Sequence, residues 1–386
     1  MAQARKGGAV QSKINMILYG TLFSGKSTMG MQMAMLKRPD GKPFRLLVLD
    51  AEQGGVDDLM ESLGEQGVNL DNIYVVYTQS LEEVNQYIKW ATERADLPEL
   101  DDEGNETDEV VLDADGEPFH PDAILVDGSS VLKLTCQQSL LNLTRRRAKI
   151  KANRNGLVGE EKALAIEDAQ LSQREWGALG YSGQSLILNL AASGLHWIVT
   201  CREKAEKKDV VIDGKKESVD TGKYIPDSFK DVGYNAKTVI RMFRDDEEPD
   251  IVKAYVDKDR TGVYAVGQIV ENPTMLSFQK IIDRNLKAVV VKNSMQEAID
   301  IESKMYQKSL GIDLDETPEE ENPDAPVADI DAMKKQAKAN HAKMNPAQRA
   351  EFSKLLKIRG LPTKMSDVTE PGIMVLIIQA SEEVLK

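Results

Sequence analysis

The sequence predicts an α/β fold with a mostly parallel sheet, an antiparallel extension of that sheet, and a small helical module near the C-terminus. Three observations support this prediction. Short apolar runs alternate with stretches of helical periodicity over roughly the first 200 residues, which is typical of parallel α/β sheets. The pattern then changes to short strands joined by turns, and the last part of the chain has helical periodicity again.

The parallel strands are predicted from continuous, short and β-branched apolar runs, which suit strands that are buried on both faces. These runs are Ile14–Tyr19, Leu46–Leu49, Ile73–Tyr77, Ala123–Val126 and His196–Thr200. The helices predicted between them are Ser27–Leu36, Leu81–Ala95, Ser130–Ala152 and Gln184–Ala192. Beyond residue 205, VVIDGKK, AKTVIRMFRD, IVKAYVDKDRTG and VYAVGQIV predict the antiparallel strands.

Three domains are predicted along the chain. Residues 1–310 are expected to form the α/β core, with an acidic loop or hairpin inserted at about residues 99–121. Residues 311–331 are acidic and contain prolines, so they are interpreted as a linker that buries little surface. Residues 332–386 are expected to form the helical module, because two periodic segments there begin at prolines.

Composition limits the classes of function. The net charge of −14 argues against a broadly basic nucleic-acid surface, but the acidic residues are concentrated in segments 99–117 and 313–331, so a local basic surface remains open. Two cysteines and three scattered histidines predict neither a disulfide framework nor a metal-ligand cluster. No apolar run is long enough to span a membrane and no signal core is visible, so we expect a cytoplasmic protein without a membrane partner.

The segment from residue 20 to residue 27 matches the pattern G-x-x-x-x-G-K-[ST], between a predicted strand and a predicted helix. Glycines let the backbone fold tightly enough for several N–H groups to point at phosphate oxygens. Lys26 is expected to reach the β- and γ-phosphates, and the Ser27 hydroxyl is expected to bind Mg²⁺. The predicted nucleotide-binding residues are Gly20, Thr21, Leu22, Phe23, Ser24, Gly25, Lys26, Ser27 and Thr28.

Two carboxylates follow apolar strands and are candidates for the same site. Asp127 ends AILVD, where an aspartate is expected to support Mg²⁺ through a water molecule. Glu52 follows LLVLDA, where a carboxylate near the γ-phosphate can orient or deprotonate the attacking water. An ordinary acidic strand end at Asp127 and a capping or solvated acid at Glu52 are the alternatives.

This combination of motifs resembles the RecA-type ATPases over roughly residues 10–270, and more narrowly the RecA-like ATPases that bacteriophages encode. The resemblance implies a RecA-like P-loop core that uses ATP and Mg²⁺, with Lys26 and Ser27 at the phosphates, Glu52 as the catalytic base and Asp127 supporting the metal. The absence of an N-K-x-D guanine-recognition motif also favours ATP.

The same resemblance assigns roles to later segments. Lys258 and Arg260, in VDKDRTG, resemble a K-x-R pair that reaches the γ-phosphate bound by a neighbouring subunit, so it implies a homo-oligomer; an ordinary charged turn is the alternative. Thr200, Arg202 and Glu203 occupy the place of a γ-phosphate sensor, without its usual glutamine. The lysine-bearing segment that follows, up to about residue 237, is expected to be a mobile loop facing DNA.

Contact with single-stranded DNA is predicted from a run of cations after the fourth predicted strand. The candidate residues are Arg145, Arg146, Arg147, Lys149 and Lys151. A solvated helix face is the alternative, and few aromatic residues are available for base stacking. Because acidic tails compete with DNA for basic surfaces, deleting residues 313–386 is expected to tighten DNA binding at low salt.

The sequence therefore predicts a RecA-like ATPase that acts on single-stranded DNA in phage recombination, annealing or replication, with a single-strand-binding protein as a candidate partner. Two alternatives stay open. One is a hexameric DNA motor of the helicase or packaging type. The other is a nucleotide-regulated scaffold that binds protein partners and has little role with DNA.

Overall fold

The computed structural model describes residues 12–101, 106–212, 215–284, 295–310, 330–359, 361–362 and 371–385. The chain divides into two compact units, residues 1–302 and residues 303–386. The linker predicted at residues 311–331 lies outside the described residues, except for its last two positions, which begin a helix.

The strands, in chain order, are β1 (Asn15–Gly20), β2 (Leu46–Asp50), β3 (Ile73–Tyr77), β4 (Pro98–Leu100), β5 (Glu106–Val110), β6 (Ala123–Asp127), β7 (His196–Ile212), β8 (Lys215–Asp227), β9 (Thr238–Phe243), β10 (Lys253–Asp259) and β11 (Ile269–Glu271). The helices are α1 (Lys26–Met31), α2 (Asp57–Glu65), α3 (Leu81–Glu93), α4 (Ser129–Arg154), α5 (Gly159–Glu167), α6 (Gln173–Ala192), α7 (Gln279–Asp283), α8 (Met295–Leu310), α9 (Ile330–Lys343), α10 (Pro346–Ile358) and α11 (Pro371–Leu385).

One sheet organises the first unit, with the order β11-β10-β9-β1-β7-β6-β2-β3. All pairings from β9 across to β3 are parallel, whereas β10 pairs antiparallel with both β9 and β11. The predicted fold class, a mostly parallel α/β sheet with an antiparallel extension, is therefore confirmed. Because its strands are parallel, β1, β2 and β6 end at the same edge of the sheet.

Helices cover both faces of the sheet, which explains why its central strands are apolar along their whole length. In β1, Ile17 and Tyr19 pack into one buried cluster with apolar residues of α3 and α6. Met16 and Leu18 of the same strand pack into a second cluster with residues of α1, α2 and α7. The side chains of β1 therefore alternate between two cores, and neither face of the strand meets water.

Strand β7 continues beyond the sheet and forms a long antiparallel hairpin with β8. The pairing begins at Arg202 with Asp227 and extends to Ile212 with Lys215. The prediction of a mobile loop over residues 207–237 is therefore wrong for residues 207–212 and 215–227, which are strands of this hairpin. The acidic insertion at about residues 99–121 contains the short hairpin of β4 and β5, which pair antiparallel.

Three helices of the second unit, α9, α10 and α11, share a buried apolar cluster. It contains Ala337, Met344, Phe352, Leu356, Met374, Ile377, Ile378 and Ala380. Helix α10 begins at Pro346, and Asn345 and Gln348 form a capping box in which each side chain accepts from the other residue's backbone N–H. The predicted helical character of the C-terminal module is confirmed. Among the described residues, no helix combines the length and hydropathy needed to cross a bilayer.

Candidate functional site

The predicted phosphate loop connects β1 to α1 and requires its two glycines. Gly20 has φ +154°, and a Cβ there would lie 1.8 Å from the carbonyl oxygen of Met242 on β9. Gly25 has φ +80°, a conformation that side chains rarely adopt. Strand β9 packs so tightly against the start of the loop that only glycine fits at position 20.

The lysine of the motif lies back across its own loop. Lys26 Nζ donates to the Thr21 carbonyl oxygen at 2.6 Å and to Ser24 Oγ at 3.3 Å. Burial lowers the pKa of Lys26, while the negative charges of Glu52 and Asp127 act in the opposite direction. An anion bound in the loop would supply the charge that this half-buried ammonium lacks.

The side chains in the middle of the loop point outward. Leu22 and Phe23 are 76% and 90% exposed, and Thr28 is exposed in the first turn of α1. Phe23 has φ +53°, and its carbonyl oxygen accepts a hydrogen bond from Arg244 Nε at 2.9 Å. Of the residues predicted to bind a nucleotide, Lys26 and Ser27 therefore have partly buried side chains at the loop, whereas the apolar side chains of Leu22 and Phe23 are displayed at its rim.

Asp127, at the end of β6, is a buried carboxylate beside the loop. Ser27 Oγ donates to Asp127 Oδ2 at 2.8 Å, and Thr200 Oγ1 donates to Oδ1 at 2.5 Å. The Gly128 N–H in turn donates to Thr200 Oγ1 at 2.9 Å. Burial raises the pKa of Asp127, although both side-chain hydrogen bonds oppose the increase. Thr200 thus orients Asp127 towards Ser27.

These residues fit a magnesium ion that is carried by a nucleotide. Among the described residues, no three His, Cys, Asp or Glu side chains are arranged to hold a metal by themselves. Mg²⁺ commonly uses one or two protein oxygens together with phosphate oxygens and waters. Ser27 Oγ and Asp127 are two such oxygens, and a cation beside them would stabilise the ionised form of the buried carboxylate.

Glu52 lies just beyond β2, beside the same loop. Its N–H donates to Asp50 Oδ1 at 2.8 Å, and the Gly54 N–H donates to Asp50 Oδ2 at 2.8 Å, so Asp50 fixes this turn. A Cβ on Gly128 would lie only 2.5 Å from Glu52 Cγ. The glycine after Asp127 therefore makes room for Glu52, whose carboxylate remains partly exposed.

Arg202 connects this site with the hairpin. Its Nη2 lies 3.5 Å from Glu52 Oε1, and its N–H donates to Ser130 Oγ at 2.9 Å. In the sheet, Arg202 is paired with Gly20 on one side and with Asp227 on the other. Position alone suggested this residue as a possible sensor, and the structure brings it to the candidate base Glu52.

Lys258 and Arg260 lie at the opposite end of the sheet from the loop. Lys258 pairs with Val239 of β9, which pairs with Ile17 of β1. At about 3.3 Å per residue and about 4.8 Å per strand, the Lys258 backbone is about 14 Å from Gly20. Lys258 Nζ donates to the carbonyl oxygens of Gly233 and Tyr234, at 3.2 and 2.8 Å, and Arg260 is exposed. Burial, followed by the charge of Arg260, lowers the pKa of Lys258.

A bulge in β10 connects the region of Lys258 and Arg260 with β1, the strand that leads into the phosphate loop. The pairing register shifts between Val256 and Lys258, which leaves Asp257 as the extra residue. Tyr19, directly before Gly20, donates from its hydroxyl to Asp257 Oδ2 at 2.5 Å. Tyr19, which precedes the loop, is thus hydrogen-bonded to Asp257, which precedes Lys258.

The predicted DNA-contact residues lie on α4 and are all exposed. Arg147 Nη1 pairs with Glu175 Oε1 at 2.8 Å, so part of this charge is neutralised within the chain. The other four, Arg145, Arg146, Lys149 and Lys151, have no ion pair among the described residues. Leu143 and Ile150 are half-exposed among them. The helix offers cations and aliphatic side chains, without aromatic rings.

A cleft between α6 and the base of the β7–β8 hairpin has the aromatic residues that α4 lacks. Its volume is about 1130 Å³. Trp176, Tyr181 and Tyr224 line it and are 51%, 74% and 45% exposed. Its lysines are Lys133, Lys204, Lys223 and Lys230. Sequence reasoning missed this combination, because the aromatic residues are far apart in the chain and only the fold brings them together.

No protein-family model and no curated protein sequence matches the chain. Among solved structures, the chain is similar to the RadB recombinase at 12% identity, covering 67% of this chain and 86% of that one, with a TM-score of 0.35. It is also similar to a KaiC-like protein from the hyperthermophilic archaeon Pyrococcus horikoshii OT3, at 11% identity, 68% and 91% coverage and a TM-score of 0.35. The fold class given above rests on the strand order and pairing of the chain itself.

Proposed function

We propose that the chain is a Mg²⁺-dependent, RecA-like ATPase that acts on single-stranded DNA as an oligomer with ATP at its subunit interfaces. The convergence of Lys26, Ser27, Glu52 and Asp127 around one glycine loop carries the proposal. A cation, a hydroxyl and two carboxylates at the carboxyl edge of a parallel sheet are the groups that phosphoanhydride hydrolysis requires.

Each residue has a defined part in this proposal. The loop N–H groups and Lys26 bind the β- and γ-phosphates of ATP, and Ser27 and Asp127 hold Mg²⁺, which when bound neutralises phosphate charge. Glu52 orients the attacking water and accepts its proton. Lys258 and Arg260 of a neighbouring copy offset the charge that develops on the γ-phosphate, because in their own chain they lie at the wrong end of the sheet.

The cleft beside the hairpin supports the DNA part of the proposal. Single-strand binding combines a cationic groove with aromatic faces on which bases stack, and each stacked base contributes about 1–3 kcal/mol. Trp176, Tyr181 and Tyr224 supply such faces, and four lysines line the same cleft, of which Lys133 and Lys204 pair with Asp227. The cations of α4, Arg145 to Lys151, are a second candidate contact. The proposed setting is phage recombination, annealing or replication in the bacterial cytoplasm, with a single-strand-binding protein as a possible partner.

The deciding experiment is ATP turnover with and without single-stranded DNA, for the native chain and for Lys26→Ala. We expect strong stimulation by DNA and a loss of turnover of about 1000-fold in the variant, since a cation at the phosphates is removed. The matched control is Lys37→Ala, an exposed lysine outside the loop. Native turnover in Lys26→Ala would show that the loop assignment is wrong.

The same experiment, together with a strand-displacement assay and a test for co-purifying proteins, separates the alternatives. Displacement of a strand from a forked duplex would favour a hexameric DNA motor. No effect of DNA, with slow turnover and a tightly bound protein partner, would favour a nucleotide-regulated scaffold.

A further inference from the structure

The stretch of the second unit that contains α9 and α10 has the opposite charge balance to the chain as a whole. The whole protein has a net charge of −14. In contrast, residues 330–359, which contain α9 and α10, include eight basic residues and two acidic ones. The basic residues are Lys334, Lys335, Lys338, Lys343, Arg349, Lys354, Lys357 and Arg359. A protein that is acidic overall thus concentrates cations on one small helical bundle.

These cations are available to a ligand. Seven of the eight are exposed, and Lys334 is half-buried. Among the described side chains of α9 and α10, one ion pair forms, between Arg359 and Glu383 at 2.7 Å. In the first unit, by contrast, Arg45, Arg241 and Lys253 each pair with carboxylates at 3.3 Å or less. The charge of the bundle therefore faces solvent instead of stabilising the fold.

The apolar core of the bundle holds the cations in fixed positions. Ala337 on α9 and Phe352 and Leu356 on α10 are buried in the shared cluster, so the opposite faces of both helices face outward. Lys334 and Lys338 are four residues apart on α9, and Lys354 and Lys357 are three apart on α10, so each pair shares one helix face. The result is two rows of positive charge, one on α9 and one on α10, held by the shared apolar core of the bundle.

The bundle lacks the means to bind unpaired bases by stacking. Phe352 is its aromatic residue, and it is buried in the core with His341 against it, at 6.0 Å between ring centroids. Binding here would therefore use phosphates alone, and duplex DNA presents phosphates at a higher linear density than a single strand. The cleft of the first unit differs, because exposed aromatic rings line it together with its lysines and could stack on bases.

We infer that α9 and α10 form a second nucleic-acid site, which binds the phosphate backbone of duplex DNA without recognising bases. This site is distinct from the nucleotide loop and from the aromatic cleft, and it requires no nucleotide. Deleting residues 313–386 would remove the acidic linker and these cations together, so point variants are needed to test it.

The test uses the full chain without nucleotide and a labelled duplex of about 30 base pairs, titrated between about 50 and 200 mM salt. The variant carries Lys335→Gln, Lys338→Gln and Lys354→Gln, at exposed positions where glutamine has nearly the helix propensity of lysine. The control carries Lys37→Gln, Lys89→Gln and Lys280→Gln, which remove the same charge from exposed positions of the first unit. Thermal unfolding verifies that both remain folded.

We expect the variant to lose roughly tenfold in duplex affinity at the low-salt end, and the salt slope to become shallower by up to about 3, at about 0.9 for each lost phosphate contact. The control should keep the native affinity and slope. Equal behaviour of variant and control would overturn the inference. So would binding to vesicles of anionic phospholipid with no binding to duplex.

Two further measurements separate this inference from the proposed function. ATP turnover without DNA should be native in the variant, and single-strand binding should change less than duplex binding. If the native chain does not hydrolyse ATP but the variant still loses duplex binding, the proposed function fails and the second site stands.

Discussion

The two ends of the central sheet differ in charge and in what they can do. At the carboxyl ends of β2 and β6, the charges of Glu52 and Asp127 act on one half-buried lysine, Lys26, and Asp50 lies close enough for its charge to act on Asp127. At the other end of β9 and β10, Lys258 and Arg260 are displayed with no carboxylate ion pair among the described residues. One end is rich in acid and carries the loop that is proposed to bind phosphate, and the other presents cations about 14 Å or more away.

This difference indicates how a complete site would be built. The chain contains every group proposed for hydrolysis, but it holds two of the cations where they cannot reach its own loop. Copies arranged head to tail would bring the cationic end of one chain to the acidic end of the next. Such heterologous contacts generate rings or filaments. Variants at the two ends of the sheet test whether they meet in this way.

The largest expected effect comes from Arg260→Ala, which should lower DNA-stimulated ATP turnover by about 1000-fold if the arginine acts across an interface. Mixing this variant with Glu52→Gln should restore part of the activity, because some interfaces then combine an intact Arg260 with an intact Glu52. Lys280→Ala, an exposed cation on α7, is the control. Failure to recover activity on mixing would show that the two ends do not meet.

A smaller loss, of about 100-fold or more in turnover, is expected for Glu52→Gln alone, because the amide cannot accept a proton from water. Binding of Mg²⁺-ATP should persist, as measured with a fluorescent ATP analogue. Glu61→Gln, at an exposed position of α2, should hydrolyse ATP normally. Native turnover in Glu52→Gln would remove the proposed base and leave Asp127 as the remaining candidate carboxylate.

Adding a methyl group at Gly20, where the phosphate loop begins, should destabilise the fold. Gly20→Ala places a Cβ against the Met242 carbonyl and should destabilise the fold by about 3 kcal/mol, with loss of nucleotide binding. Gly116→Ala is the matched control, since Gly116 also has a positive φ but no atom within 4 Å of its added Cβ. Denaturant unfolding measures both. Similar destabilisation would mean that backbone conformation, and not the approach of β9, requires the glycine.

The smallest effect concerns His196, at the start of β7 and far from the loop. Burial, together with Lys13 and Lys237, lowers its pKa well below the usual 6.5. The unfolded chain then binds a proton that the folded chain excludes, so stability should fall by about 1 kcal/mol between about pH 6.5 and 5.5. His196→Gln, which keeps an acceptor for the Ile14 N–H, should flatten this dependence relative to the native chain. An unchanged slope in His196→Gln would contradict the effect.

The acidic end of the sheet was predictable because its signals are local. Gly20 to Ser27 form a continuous motif, and Glu52 and Asp127 each follow an apolar run. Parallel strands bring such ends to one edge, so the sequence alone suffices to place these side chains near each other. Helix α1 ends earlier than expected, at Met31, and continues as a 3₁₀ turn over Gln32–Met35.

The hairpin and the aromatic cleft were not predictable in the same way. Two paired strands outside a sheet bury little apolar surface, so the segment from Lys204 to Tyr224 has no clear hydrophobic alternation. Trp176 and Tyr224 come together because α6 packs beside the hairpin base, which no local pattern encodes. The contact of Arg202 with Glu52 likewise depends on the register of three strands.

The hydrogen bond between Tyr19 and Asp257 has a consequence for timing. The bond joins the strand that carries the phosphate loop to the bulge that precedes Lys258, so a displacement of one would favour a displacement of the other. In a row of copies, closure of one loop on its nucleotide would pull on the cations offered to the next. In the proposed assembly, ATP hydrolysis at one site would then promote hydrolysis at the next, and Tyr19 would couple the two sites.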